Sequence, residues 1–188
     1  MSIAFIGGGN MATALVGGLV AHGRAPSGFS IVEPFAEQRA KLAARFPATA
    51  LHERTTREAI GAASLVVLAV KPQQMREAAA ALAPFVAPAA VRPDAAADSS
   101  SGARAIAPPT GPVDCVLSIA AGTRSADIAR WLGGFDRVVR AMPNTPAMVG
   151  RGIAGVHAQP GVSPPQRAAA AAVLEAGGEV LWVDTEEM

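Results

Sequence analysis

A glycine-rich segment near the amino terminus is the strongest chemical pattern in the sequence. Gly7, Gly9 and Ala12 occupy the fixed positions of G-x-G-x-x-A, directly between an apolar run and a helical pattern. Glycine permits a tight turn and close backbone approach, and alanine keeps the helix near the strand. Helix-start amides favour an anion. We therefore predict a pyrophosphate site for a dinucleotide, with an ordinary glycine-rich turn as the alternative.

An acidic residue, Glu33, ends the second strand-like run. It stands near the offset of roughly 20 residues at which a carboxylate meets the adenosine ribose. Such a carboxylate accepts hydrogen bonds from both ribose hydroxyls and repels a 2′-phosphate, which favours NADH over NADPH. The alternative is that Glu33 stabilises the start of the next helix, where negative charge is also favourable.

A lysine follows the aliphatic run Leu65–Val70, which is typical of a central parallel strand. Lys71 is one of only two lysines in the chain, and Pro72 stiffens the turn after it. The carboxyl ends of parallel strands form the ligand edge of an open α/β sheet. Lys71 is predicted to hydrogen-bond cofactor hydroxyls, and the alternative is a solvated loop lysine.

An asparagine follows another predicted strand, Val138–Ala141, at the same edge. Asn144 stands between Pro143 and Thr145-Pro146, so its side-chain amide is held in a stiff loop. That amide offers both a donor and an acceptor to a ligand.

The elements that must position these residues alternate between β-branched runs and alanine-rich helical patterns. This alternation predicts an α/β fold, Rossmann-like, with a mostly parallel sheet and helices on both faces. The predicted strands are Ile3–Ile6, Ser30–Glu33, Leu65–Val70, Val116–Ala120, Val138–Ala141 and Val180–Val183. Helices are predicted after Gly9, from Pro34 to about Phe46, from the capping-box pair Thr55 and Glu58, up to Gly133, and from Ser163 to Gly177.

The composition excludes several classes of protein. A charged fraction of 16% and a net charge of +1 give little long-range field, so neither nucleic acid nor an anionic membrane is an expected partner. One cysteine, Cys115, rules out an internal disulfide, and the three scattered histidines predict no metal site. The chain shows neither a signal-peptide pattern nor an apolar run of about 18 residues, so we expect a soluble cytoplasmic protein.

One stretch interrupts the alternation. Between Pro88 and Pro112 the chain is rich in Pro, Ala and Ser and almost free of bulky apolar residues, which is typical of a surface loop. We predict an insertion at about residues 92–113 within a dinucleotide-binding domain of residues 1–150, with a functional loop as the alternative. Residues 151–188 are predicted to form a last strand, helix and strand.

Four motifs in this order resemble the pyrroline-5-carboxylate reductase family, the enzymes that make proline. They are FIGGGNMATALVGGL, VVLAVKPQ, LSIAAGT and RAMPNTPAMVG. The resemblance spans Met1 to about Gly152 apart from the insertion, and continues more weakly to Met188. It implies NADPH or NADH as cofactor and a small-molecule imine as substrate.

The resemblance also implies site residues at the matching positions. Together with the spacing of Glu33, the implied cofactor contacts are Ile6, Gly7, Gly8, Gly9, Asn10, Met11, Ala12, Glu33, Thr56, Val70, Lys71, Pro72, Ile119, Ala120 and Ala121. The implied substrate-adjacent residues are Pro143, Asn144 and Asp184.

The implied reaction is hydride transfer from the reduced nicotinamide to the imine carbon of 1-pyrroline-5-carboxylate, giving L-proline. In this family the substrate loop and proton donor belong to a carboxyl-terminal helical dimerisation domain, which we expect this chain to lack. Little turnover is therefore expected, and a homo-oligomer is expected for full-length members. The alternatives are a non-catalytic dinucleotide-binding fragment and another NAD(P)-dependent reductase with a similar first domain.

Overall fold

The structure is a computed structural model that describes residues 2–86 and 113–186. Short apolar runs of the sequence form its strands. The strands are β1 (Ile3–Ile6), β2 (Phe29–Val32), β3 (Ala50–His52), β4 (Leu65–Leu68), β5 (Cys115–Ser118), β6 (Val138–Pro143), β7 (Gly152–Ala158) and β8 (Gly178–Trp182). The helices are α1 (Asn10–Ala21), α2 (Ala36–Arg45), α3 (Arg57–Ile60), α4 (Met75–Leu82), α5 (Ser125–Trp131) and α6 (Pro164–Leu174).

The described strands form one eight-stranded sheet in the order β3-β2-β1-β4-β5-β6-β7-β8. Neighbouring strands pair in parallel from β3 to β6, whereas β7 runs antiparallel to β6 and β8 runs parallel to β7. The order reverses at β1, from which β2 and β4 lie on opposite sides. A reversal of this kind opens a crevice at the carboxyl ends of the strands. The mostly parallel, Rossmann-like α/β fold is confirmed.

Helices cover the sheet on both faces, and each face has its own apolar core. One core contains Leu15 of α1, Leu42 of α2 and Val173 of α6. The other contains residues of α3, α4 and α5, among them Met75 and Ile128. Burying both faces explains why the central strands are continuous aliphatic runs.

Two predicted helix starts are wrong by one or two residues. Pro34 lies outside α2, because the extended backbone of Phe35 caps that helix and its N–H is bonded to the Glu33 carboxylate at 3.0 Å. The cap of α3 is Thr56 rather than Thr55, since the Thr56 hydroxyl accepts the Ala59 N–H at 3.1 Å. The predicted start of α6 is confirmed by a capping box from Ser163.

The sequence patterns also missed two elements, namely β3 and α4. The strand predicted at the start of residues 151–188 corresponds to β7, whose sequence Gly-Ile-Ala-Gly-Val-His-Ala alternates in burial but contains few β-branched residues. Strands on both sides of residue 150 belong to the same sheet. The division of the chain at that residue stays a prediction.

The predicted insertion lies outside the described residues, apart from Val113. That residue is buried and forms an isolated parallel bridge with Val86. Of the helices in residues 2–86 and 113–186, none combines the length and apolar character needed to cross a membrane.

Candidate nucleotide-binding site

The loop between β1 and α1 turns at Gly7. Its φ of +100° favours glycine, and a Cβ there would lie 2.5 Å from the Ala69 carbonyl oxygen. The Gly7 N–H donates to the Val32 carbonyl at 2.8 Å, which extends the β1–β2 pairing into the loop. The positive φ, the nearby Ala69 carbonyl and the hydrogen bond to Val32 together explain the tight turn predicted for Gly7.

Gly8 is held by side chains of the β2–α2 region. Its N–H donates to Glu33 Oε2 at 2.9 Å, and its carbonyl accepts from Gln38 Nε2 at 2.6 Å. A Cβ on Gly8 would lie 2.6 Å from Leu42 Cδ1, so no larger residue fits without movement. These contacts fix the peptide groups on either side of Gly8.

Gly9 differs from its neighbours because its surroundings are open. A Cβ built on it would meet no atom within 4 Å. It caps α1 without any side-chain bond, and Thr13 is the first residue whose N–H bonds to the Gly9 carbonyl. The first-turn amides of Asn10 to Ala12 therefore have no partner in the described chain, which leaves them for an anion or water.

Of the two roles that the sequence left open for Glu33, the structure shows the one at the start of the next helix. Its carboxylate is only 6% exposed, and Oε1 and Oε2 accept the N–H groups of Phe35 and Gly8. It therefore stabilises the entry to α2, and it also lines the cleft described below. A carboxylate has about four acceptor positions, so roughly two remain for ribose hydroxyls. The ribose role itself stays a prediction.

These groups border a cleft of about 910 Å³ at the carboxyl ends of β1, β2 and β4. Such a volume lies within the usual range for small-molecule and cofactor sites. The structure brings six of the predicted cofactor residues to its wall, namely Ile6, Gly7, Gly9, Glu33, Val70 and Lys71. The fit of a dinucleotide rests on the open space at Gly9 and the free amides beside it.

The basic side chains of the cleft differ in whether they form an ion pair. Lys41 Nζ lies 2.7 Å from Glu37 Oε1, a contact that lowers the pKa of the Glu37 carboxyl. Arg54 Nε lies 3.7 Å from Glu53 Oε1. Lys71 is exposed at the cleft wall and has no ion pair within the part of the chain that the structure describes. Its ammonium is therefore the lysine charge most readily offered to a ligand.

Several predicted cofactor residues lie beside the cleft instead of lining it. Thr56 is exposed and uses its hydroxyl to cap α3. Pro72 begins a short 3-10 turn directly after Lys71. Ile119 to Ala121 form the turn after β5, where the Ile119 N–H donates to the Leu68 carbonyl of β4 at 3.1 Å. That bond brings the β5 turn next to the end of β4 at the same sheet edge.

The predicted substrate-adjacent residues are not brought together. Asn144 follows β6 at the ligand edge, where its Oδ1 accepts the Ile153 N–H at 3.0 Å. Pro143 pairs with Ala154, but β8 runs antiparallel to β6 and ends at Trp182, opposite Val156. The chain toward Asp184 therefore leads away from Pro143.

The structure adds cleft residues that the sequence patterns did not single out. Phe35, Gln38 and Gln74 line the cleft, and Gln38 also holds the glycine loop. Because Gln38 acts through a backbone carbonyl that is distant in sequence, no local pattern signals it.

Neither a nucleophile nor a metal centre stands out elsewhere in the described residues. Burial raises the pKa of the Cys115 thiol to about 12, so it stays protonated at neutral pH and packs in the core. No group of three or more His, Cys, Asp or Glu side chains in these two ranges could hold a metal ion.

Comparisons with known proteins agree with this geometry. A family model described as "NADP oxidoreductase coenzyme F420-dependent" matches residues 2–91. A pyrroline-5-carboxylate reductase from Pseudomonas aeruginosa is 40% identical over 184 residues, which cover 98% of this chain and 58% of that protein. Another from Haemophilus influenzae is 36% identical over the same shares.

A solved structure agrees as well. The structure of a pyrroline-5-carboxylate reductase from Coxiella burnetii superimposes with a TM-score of 0.80 at 31% identity, covering 98% of this chain and 59% of that one. The chain belongs to the pyrroline-5-carboxylate reductase family. It spans about three fifths of the length of these reductases. The Plasmodium falciparum pyrroline carboxylate reductase with NADP bound, at 16% identity and a TM-score of 0.72, shares the fold.

Proposed function

We propose that the chain binds NADH or NADPH in the cleft and presents the nicotinamide for reduction of 1-pyrroline-5-carboxylate to L-proline. The observation that carries the proposal is the glycine loop. It joins an open backbone at Gly9, unpartnered amides at the start of α1, and the buried carboxylate of Glu33. The reductases with 40% and 36% identity supply the choice of substrate.

Each group of the cleft has a defined task in this proposal. The amides of Asn10 to Ala12 would hold the pyrophosphate, and Glu33 the adenosine ribose. Lys71 would donate hydrogen bonds to cofactor hydroxyls, while Val70 would pack beside the nicotinamide ribose. The turn of Ile119 to Ala121, made of small or apolar residues, would lie near the nicotinamide.

The reduced nicotinamide, when bound, supplies the hydride that goes to the imine carbon, and the ring nitrogen takes up a proton. The chain's own contribution is orientation and exclusion of water around the transferred hydride. A small-molecule imine is therefore the proposed partner. A cytoplasmic location and assembly into a homo-oligomer remain parts of this proposal.

Titration of the 188-residue chain with NADH and NADPH tests the first step. Binding is expected as a saturable rise in dihydronicotinamide fluorescence, competed by ADP-ribose. Proline formation from the imine and NADH then tests the activity. Lack of saturable binding by either dinucleotide would contradict the proposal, and binding without any proline formation would favour a cofactor-binding role alone.

A further inference from the structure

The chain has six phenylalanines, and one of them differs sharply in its surroundings. Phe5, Phe29, Phe46 and Phe135 are buried with at most 5% exposure, whereas Phe35 is 67% exposed. The exposed ring belongs to the wall of the candidate nucleotide cleft. We propose that Phe35 is a stacking surface for the adenine ring of the bound dinucleotide, an inference that rests on the proposed function.

The backbone that carries Phe35 is fixed to the glycine loop. One carboxylate, that of Glu33, accepts both the Gly8 N–H at 2.9 Å and the Phe35 N–H at 3.0 Å. Arg39 Nη1 donates to the Glu33 and Pro34 carbonyls, each at 2.8 Å. The ring is therefore presented from a backbone held relative to the pyrophosphate loop, and little ordering entropy is lost when a ligand binds.

The position of Phe35 in the chain suits the adenosine half of the ligand. It stands two residues after Glu33, the residue predicted to hold the adenosine ribose, and at the cap of α2. An adenine attached to that ribose needs a flat apolar surface nearby, and an exposed aromatic ring provides one. Arg54, from the loop after β3, lines the same cleft and adds a planar cation.

Stacking on Phe35 predicts a different preference between NADH and NADPH from the charge of Glu33. A ring surface recognises the base and ignores the ribose 2′ position, so Phe35 would strengthen NADH and NADPH binding equally. Glu33 would discriminate between the two dinucleotides because its charge opposes the 2′-phosphate. The two contributions are therefore separable by experiment.

The test measures dissociation constants of NADH, NADPH and ADP-ribose for the 188-residue chain and its variants. Phe35→Ala is expected to weaken all three by about tenfold, the typical loss of one base–aromatic contact. Phe35→Leu should also weaken them, because it keeps apolar bulk and loses the flat ring. Phe35→Trp should restore affinity, with the added indole emission quenched by ADP-ribose. Leu181→Ala, at a residue 56% exposed on β8, is the matched control and should change nothing.

Wild-type affinity in Phe35→Ala, or full affinity in Phe35→Leu, would overturn the stacking role while leaving cofactor binding intact. A loss confined to NADPH would equally overturn it, since stacking does not sense the 2′-phosphate. Failure of the wild-type chain to bind any of the three ligands would refute the proposed function and this inference together. Thermal unfolding of each variant confirms that the exposed substitution leaves the fold unchanged.

Discussion

Glycines in two regions of the molecule have opposite surroundings. A Cβ at Gly9, in the loop after β1, would meet no atom within 4 Å. A Cβ at Gly178, at the start of β8, would lie 2.0 Å from the Gly152 carbonyl oxygen of β7. The first glycine leaves space for a ligand, and the second lets two strands approach. The same residue type therefore leaves open space in the parallel part of the sheet and permits close strand packing in the β6–β8 part.

The buried charged side chains of the two regions also differ, because one borders the cleft and the other bonds within the fold. Glu33 lies at the wall of the cleft and keeps acceptor capacity beyond its two amide bonds. Arg140 of β6 is 5% exposed, and its guanidinium donates to the Glu186 carbonyl at 2.9 Å. The Glu186 carboxylate is also bonded to the N–H and hydroxyl of Ser125. This second group of charges ties the segment after β8 to α5, away from the cleft.

The largest expected effect is on stability, from Gly178→Ala. The φ of +141° is strained for alanine, and its Cβ would overlap the β7 backbone, so the free energy of unfolding should fall by about 3 kcal/mol. Urea unfolding measures this change. Gly28→Ala, at a glycine with open surroundings, is the control and should stay within about 0.5 kcal/mol. Equal stability of the two variants would contradict the role of Gly178 in the close packing of β7 and β8.

A smaller effect, on binding alone, is expected from Lys71→Ala. Loss of a charge-assisted hydrogen bond should weaken NADH binding by roughly 1–3 kcal/mol without lowering stability. Lys41→Ala removes the other lysine of the cleft, whose charge is already paired with Glu37, and should change NADH affinity much less. Fluorescence titration compares the two variants. Unchanged affinity in Lys71→Ala would identify Lys71 as a solvated loop lysine.

Gly9→Ser tests the open space directly. Serine is a favoured helix cap, so stability should be equal or slightly higher, while its side chain would occupy the space predicted for phosphate. We expect NADH affinity to fall about tenfold, which corresponds to roughly 1.4 kcal/mol. Urea unfolding and NADH titration together separate the two properties. Retained affinity would show that phosphate does not approach this backbone.

The smallest expected difference is between the two dinucleotides. Glu33 lines the cleft and is predicted to hold the adenosine ribose, where its charge would oppose a 2′-phosphate, so NADH should bind at least as tightly as NADPH. Parallel titrations of the wild-type chain measure the ratio. Glu33→Gln should move the ratio toward NADPH, with some loss of stability because one amide bond is lost. A clear NADPH preference in the wild-type chain would contradict this prediction.

Much of the fold could be predicted from local sequence, because strands such as β1 and β4 are uninterrupted aliphatic runs. Because both faces of these strands are buried, apolar and polar residues do not alternate along them, and the apolar run itself predicts the strand. In β7, by contrast, Gly and Ala occupy positions where β-branched residues are usual, so its strand character depends on pairing with β6 and β8. Likewise Thr55 and Thr56 are equivalent in the local pattern, and only the path of the chain selects Thr56 as the cap.

The sequence by itself determined the parallel fold and the loop from Gly7 to Ala12, because both depend on residue types within a few positions. Only the tertiary structure decided that Glu33 bonds Gly8 and Phe35 at once, that Phe35 is exposed, and that β8 leads away from Pro143. These relations join residues from separate strands. They are set by packing and strand direction, for which a single sequence carries no local pattern.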